Sequence, residues 1–312
     1  MKIFKNPHGN VRSGWLILLC LVLIAGLNYV LSWGLIKALG AVLRLTGDID
    51  PATGFYSPLV GWLDETFLPI ALQLLLDVIM IAVVLLAWKV MRQKWEDIGL
   101  RSFKTRFHRD GLVGMLLGIV CCSVIFVVLL LSGNAIVAPV EIRFTSAWFW
   151  WVIIFLFTGI GEELMNRGFI MSTLRRTNNV CLILLVPSVI FGLIHLANPG
   201  VTFLSILNII LIGIVFSWMY YKSGNLWMCI GYHITWNIFQ SSIYGMPVSG
   251  LTGIDSLLST DFPTDNLLNG GAFGIEGGLL TTFINLALFA FVYYYYRNSE
   301  YRFLPKDIIL AE

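Results

Sequence analysis

The sequence predicts an all-α, polytopic membrane protein, with about eight transmembrane helices forming a bundle around a polar cavity at mid-depth. Three observations predict it. Hydrophobic residues make up 58% of the 312 positions, against about 45–50% in soluble chains. Charged residues supply 12%, where about 25% is usual. The apolar residues also gather into runs of about 20, the length a helix needs to cross hydrocarbon. A soluble globule of this length could not cover itself with so few charges, and the mean hydropathy of +0.83 says the same. The formal net charge of +2 gives no case for a nucleic-acid partner.

The first expected span is Trp15–Leu43. The basic start, Met1 to Arg12, leads into an apolar run far longer than the about 7–15 residues of a signal-peptide core, so it is expected to stay in place as a crossing. Phe67–Val90 and Leu112–Leu131 follow, then the unusually long Ala147–Thr173 and the short, Pro187-containing Val180–Ala197. Val201–Tyr221, Leu226–Met246 and Gly278–Tyr296 complete the set. Residues 1–132 thus hold three helices and a connector, Arg92–Asp110, whose Trp95, Ile98, Leu100, Phe103 and Phe107 make it amphipathic enough to lie on the membrane surface as a plain link. Residues 147–246 hold four helices, and 278–312 the last helix and a tail. The segment between them, 247–277, is rich in Gly, Ser, Asp and Thr and is expected to be irregular and mobile. Cys20, Cys121, Cys122, Cys181 and Cys229 all fall in apolar runs at no metal-ligand spacing, as reduced core thiols do.

Basic residues sort the ends of these helices, because cytoplasmic flanks carry the excess of Lys and Arg. One set of flanks holds Lys2, Lys5 and Arg12, the run from Lys89 to Arg109, then Arg167, Arg175, Arg176, Lys222, Arg297, Arg302 and Lys306. The other keeps Lys37, Arg44 and Arg143, with Asp48, Asp50, Asp64, Glu65, Asp255, Asp261, Asp265 and Glu276. Both termini are therefore expected to be cytoplasmic, in a multi-pass protein of a cell membrane, bacterial by its look.

An ionisable group at mid-membrane costs about 2.5–3.5 kcal/mol on insertion scales, so each one asks for a reason. Asn28, Asn208, Gln240 and Asn285 suit the ordinary role of helix-to-helix glue. Gln73 and Asp77, at i and i+4, suit a helix contact or a cavity-facing patch. The remaining residues fall into three patterns. Gly161-Glu162-Glu163-Leu164-Met165-Asn166-Arg167 puts two adjacent carboxylates on a helix. Glu163 and Arg167 share a face and can pair, whereas Glu162 points about 100° away. Phe191-Gly192-Leu193-Ile194-His195 ends the fifth span with a histidine, and Gly192 permits close helix approach. His233-Ile234-Thr235-Trp236-Asn237 sets a histidine and an amide side by side. At 1.5 Å per residue, Glu162, His195, His233 and Asn237 lie about 12–22 Å into their helices, within one central slab of the membrane.

Glu-Glu-x-x-x-Arg, Phe-x-x-x-His and His-x-x-x-Asn, in this order on successive apolar helices, resemble the CAAX protease and bacteriocin-processing family of intramembrane proteases. The resemblance covers roughly residues 147–246 and implies a conical helical bundle with a water-filled cavity and an endopeptidase acting at or near the membrane. Its substrates would be membrane-associated or lipidated proteins, or secreted peptide precursors, and its surroundings membrane lipid. Peptide hydrolysis needs an activated water, a stabilised oxyanion and a proton for the leaving amine. On that reading Glu162 acts as base and His195 holds the water or moves its proton. His233 and Asn237 donate to the oxyanion, while Glu163, Arg167 and Phe191 support them from behind. No cofactor is required by this chemistry. Glu162, His195 and His233 also form a catalytic zinc set, although His-Glu-x-x-His is absent. A non-proteolytic membrane partner or bacteriocin-immunity factor, and a transporter using the same groups as a proton relay, are the other readings of the polar residues.

Overall fold

The computed structural model describes residues 3–5, 11–50, 52–100, 107–138 and 144–304, with backbone alone for 107 and 108. Eight long helical segments dominate it. They are α1 (Ser13–Leu45), α2 (Pro58–Val90), α3 (Phe107–Leu131), α4 (Ser146–Thr177), α5 (Val180–Ala197), α6 (Phe203–Ser223), α7 (Trp227–Asn237, continued by a π turn over Ile238–Ile243) and α8 (Leu279–Tyr295). The first six are long and apolar enough to cross a membrane, whereas α8 has 17 residues and the regular part of α7 has 11. All eight expected spans are helical; the last two are shorter than the sequence alone indicates. The protein is an integral, multi-pass membrane protein.

Helix α1 shows why lipid is its solvent. Its buried residues Ser13, Ile17, Cys20 and Ile24 recur at helical spacing on one face, while Leu18, Leu19, Val22, Leu23 and Leu27 are exposed. Exposed leucine and valine at this density would aggregate in water.

Loops join at two opposite ends. At the Lys/Arg-rich end, Ser13 Oγ donates to the Thr173 carbonyl at 2.9 Å, Arg175 pairs with Asp97 at 3.1 Å, and Ser172 and Tyr220 hydroxyls donate to the Asp97 carbonyl. Asn225 donates to Asp110, Ser299 to the Lys222 carbonyl, and the Arg175 guanidinium lies 4.0 Å over the Phe303 ring. The start of α1, the end of α2 and the end of α8 therefore share one end, so the chain runs back and forth between the ends an even number of times. At the other end two short antiparallel ladders close the loops, Ile49–Asp50 on Phe55–Tyr56 and Ile136–Val137 on Thr260–Asp261.

The structure adds detail to two loops. The connector after α2 is exposed at Trp95 but anchored at Ile98, which is fully buried against α4 at Gly168. Residues 101–106, including Phe103, lie outside the described residues. The 247–277 segment is irregular as expected, yet it is anchored. Phe273 and Ile275 are fully buried, and Asn208 of α6 donates to the carbonyls of Glu276 and Gly278, both at 2.9 Å. A glycine-rich composition marks the absence of regular structure but says nothing of how well its few apolar residues pack.

The closest helix pair is α3 with α7. A Cβ at Gly114 would collide with the Met228 carbonyl, one at Gly231 would come within 2.6 Å of the Gly111 carbonyl, and one at Gly118 would strike Thr235 Oγ1 and lie 2.5 Å from the Tyr232 carbonyl. Small residues let backbones touch where no hydrophobic drive separates helix from lipid. Gly118→Val is expected to cost at least about 1–3 kcal/mol, because backbone cannot move aside as a side chain can. Thermal denaturation in detergent measures it.

Candidate active site

The site begins at a change of winding. Helix α4 is α-helical through Glu163 and π-helical over Leu164–Met171, and α7 switches likewise just after Asn237. Single π turns widen a helix and re-aim its side chains, and they recur at functional positions. Here one change falls inside the first polar motif, just after Glu163, and the other directly after Asn237, the last residue of the third.

Glu163 and Arg167 are fully buried and paired, Nη1 to Oε1, at 3.1 Å. Arg167 Nη2 donates to the Gly213 carbonyl of α6 at 3.0 Å, and the guanidinium lies 4.7 Å from the Phe191 ring centre and 5.3 Å from that of Phe216. Gly213 leaves room for this contact, since a Cβ there would sit 3.1 Å from Arg167 Nη2 and 3.0 Å from Ser188 Cβ and would press on both. A planar cation that fills two donor positions and stacks on two rings is a task for arginine and not lysine.

His233 stands between the two glutamates. Its Nδ1 is 3.0 Å from Glu163 Oε1 and its Nε2 is 3.7 Å from Glu162 Oε2. Glu163 is already the acceptor for Arg167, so Nδ1 carries the proton and Nε2 is the atom that faces Glu162. His195 is oriented in the same way. Its Nδ1 lies 2.7 Å from the Phe191 carbonyl, which can only accept; Nδ1 is therefore the donor and Nε2 is left for the cavity. Phe191 stands edge-on to both imidazoles, with centroids 5.1 Å from His195 and 6.1 Å from His233, and supports Arg167 as well. A Cβ at Gly192 would lie 2.5 Å from Ile210 Cγ1, so glycine brings this end of α5 against α6.

Glu162, His195, His233 and Asn237 all line one cavity of about 560 Å³ between the helices. Its wall is mainly apolar, with Ile154, Phe155 and Trp236 among its lining residues. The four predicted residues are thus brought together, and Glu163 and Arg167 stand behind them. His233 is bonded to Glu163 and near Glu162, so it links the two glutamates. Among the described residues no group of three or more His, Cys, Asp or Glu side chains is placed to hold a metal ion. Glu162, His195 and His233, the residues that would hold a zinc ion, all line the cavity.

The amides behave mostly as glue. Asn285 donates to the Asn208 carbonyl at 3.1 Å and Gln73 to Asp77 at 3.2 Å. Asp77, fully buried, also accepts from Thr158 on α4 at 2.7 Å, one turn before Glu162. Sequence reasoning missed Glu276. Counted there as an acidic loop residue, it lines the same cavity, with Oε2 accepting from Ser249 N at 2.5 Å and from Gln240 Nε2 at 3.2 Å, and Oε1 accepting from Ser249 Oγ at 3.2 Å. Burial pushes its carboxyl pKa up, against those donors, which pull it down. No periodic signal marks a loop residue that folds back into a cavity; the Gly-Ile-Glu-Gly-Gly setting offered only the hint of a tight turn.

Residues 143–239 match the family described as "Type II CAAX prenyl endopeptidase Rce1-like". The matched stretch is about a third of the chain and holds the helices that carry the site. The match spans all three polar motifs, from Glu162 to Asn237, and agrees with the resemblance those motifs carry. No curated protein and no solved structure matches the chain. The family match supports a CAAX-protease-type membrane enzyme.

Proposed function

We propose that this CAAX-protease-type chain is an intramembrane endopeptidase that hydrolyses peptide bonds of membrane-associated or secreted-precursor substrates with a water activated by Glu162. The observation that carries the reading is the convergence of Glu162, His195, His233 and Asn237 on one cavity. Glu162 takes a proton from water, whose oxygen bonds to the scissile carbonyl carbon. His195 Nε2 holds that water, and the Asn237 amide donates to the oxyanion. The proton on Glu162 then passes to the leaving nitrogen as the C–N bond breaks, with His233 Nε2 placed to relay it. Glu163 fixes the His233 ring through Nδ1, and Arg167 and Phe191 fix Glu163 and His195. The reaction needs no metal; metal content and cleavage after chelation, on purified protein, test that statement. The Lys/Arg-rich end faces the cytoplasm in this reading, with both termini there.

Comparing the peptides of cells that carry wild type with those that carry Glu162→Ala tests the proposal. A precursor should accumulate in the variant, and its missing fragments should define the cleaved bond. Identical peptide pools would count against it. Asn237→Ala is expected to lower kcat by about 10²–10³-fold with little change in KM, as loss of one oxyanion donor does; steady-state kinetics on the precursor so identified check this.

A further inference from the structure

The cavity is acidic. Among the described residues its lining includes two carboxylates, Glu162 and Glu276, two imidazoles, His195 and His233, and no lysine or arginine. Glu162 has His233 beside it at 3.7 Å, and the buried Glu163 has Arg167 at 3.1 Å. Glu276 pairs with no lysine or arginine among the described residues. Its bonds come from a backbone N–H, a hydroxyl and an amide. Those donors all favour the ionised form, and they hold the carboxylate in place on the acidic-loop side of the cavity. Glu276 is partly buried, and beyond those donors the titratable group that favours its ionised form is the His195 imidazole; a carboxylate so placed is costly to keep charged, and that cost falls when a guest brings a permanent cation. Aromatic rings of Trp151, Phe155, Tyr232 and Trp236 share the wall, and their faces attract cations where water is excluded.

We propose that Glu276 is a specificity-determining residue that receives a cationic group of the substrate, an ammonium or guanidinium, near the bond to be cut. The assignment rests on the peptidase reading of the cavity and adds the class of substrate to it: peptides with a basic residue at a fixed distance from the scissile bond. Ser249 and Gln240 are positioning residues for the carboxylate. Ser249 holds a left-handed backbone, φ 47°, that turns both its N–H and its hydroxyl toward Glu276.

The test uses purified full-length protein and matched peptides that differ only in lysine or norleucine at each position around the cleaved bond. In the wild type one position should favour lysine by at least about tenfold in kcat/KM, as expected for a desolvated charge pair. In Glu276→Gln the lysine-to-norleucine ratio at that position should fall toward one. A ratio that survives in Glu276→Gln, or a wild type that shows no such preference while its cleavage still depends on Glu162, overturns the assignment and leaves the peptidase reading standing. If Glu276→Gln does not fold, uncleavable lysine and norleucine versions compete for wild-type protein instead. Lysine should inhibit at least about tenfold more tightly, and equal inhibition overturns the assignment, reducing Glu276 to a clasp for the loop. A wild type that cleaves no peptide, whatever the residue, ends both readings.

Discussion

Glu162→Gln is expected to lower kcat for peptide cleavage by about 10²–10⁴-fold while leaving the protein folded, the range for loss of a positioned general base. The amide is nearly isosteric, and Glu162 is only partly buried at the cavity wall, with a side chain 16% exposed, so the substitution strands no charge in the interior. KM should change little, because the residue meets water and not the bulk of the peptide. Glu163→Gln, one residue away, should behave differently. It leaves Arg167 without its anion and His233 Nδ1 with a weaker acceptor, so it should lower the melting temperature as well as the rate. Thermal denaturation beside kinetics separates the two outcomes, and matching profiles for the adjacent glutamates would contradict the division of roles.

Arg167→Ala is expected to destabilise the fold by about 3–5 kcal/mol, the cost of leaving a buried charge unpaired. Both partners of this pair are fully buried, and Glu163 Oε2 already lacks a hydrogen-bond partner among the described residues. Removing the guanidinium also opens a void between the Phe191 and Phe216 rings. Arg167→Lys should recover little, since a lysine supplies no planar fork for both Glu163 and the Gly213 carbonyl. The double variant Glu163→Leu with Arg167→Met should regain much of the lost stability, because exchanging a buried ion pair for apolar side chains is often neutral. It should not regain activity, for His233 Nδ1 would have no acceptor. A double variant as active as wild type would show that the pair serves packing alone. Melting and cleavage measured on the same preparations give the answer.

Much of this was legible because the membrane leaves a strong trace in composition. Runs such as Trp15–Leu43 and Phe67–Val90 declare themselves through length and lack of charge, and the basic flanks order the ends. The site was legible for the same reason. Glu162, His195 and His233 stand out where an ionisable group is costly, and i, i+4 spacing alone pairs Glu163 with Arg167. What escaped was set by tertiary contact. The π turns after Glu163 and Asn237 have no propensity signal, so the bonding of His233 to Glu163 could not be read from the spacing of either motif. Ile98 looked like a surface residue because its burial depends on α4, far away in sequence. Glu276 looked like a solvated loop charge because its partners, Ser249 and Gln240, come from 27 and 36 residues earlier.

The mechanism turns on water attacking a peptide carbonyl under the control of Glu162. Cleavage of the accumulated precursor in water enriched in ¹⁸O, read by mass spectrometry of the products, addresses this step itself. Wild-type protein should yield a new C-terminal carboxylate carrying one ¹⁸O, and folded Glu162→Gln should yield at most about one hundredth as much over the same period. Cleavage by Glu162→Gln at the wild-type rate, or a wild-type product without ¹⁸O, would contradict it.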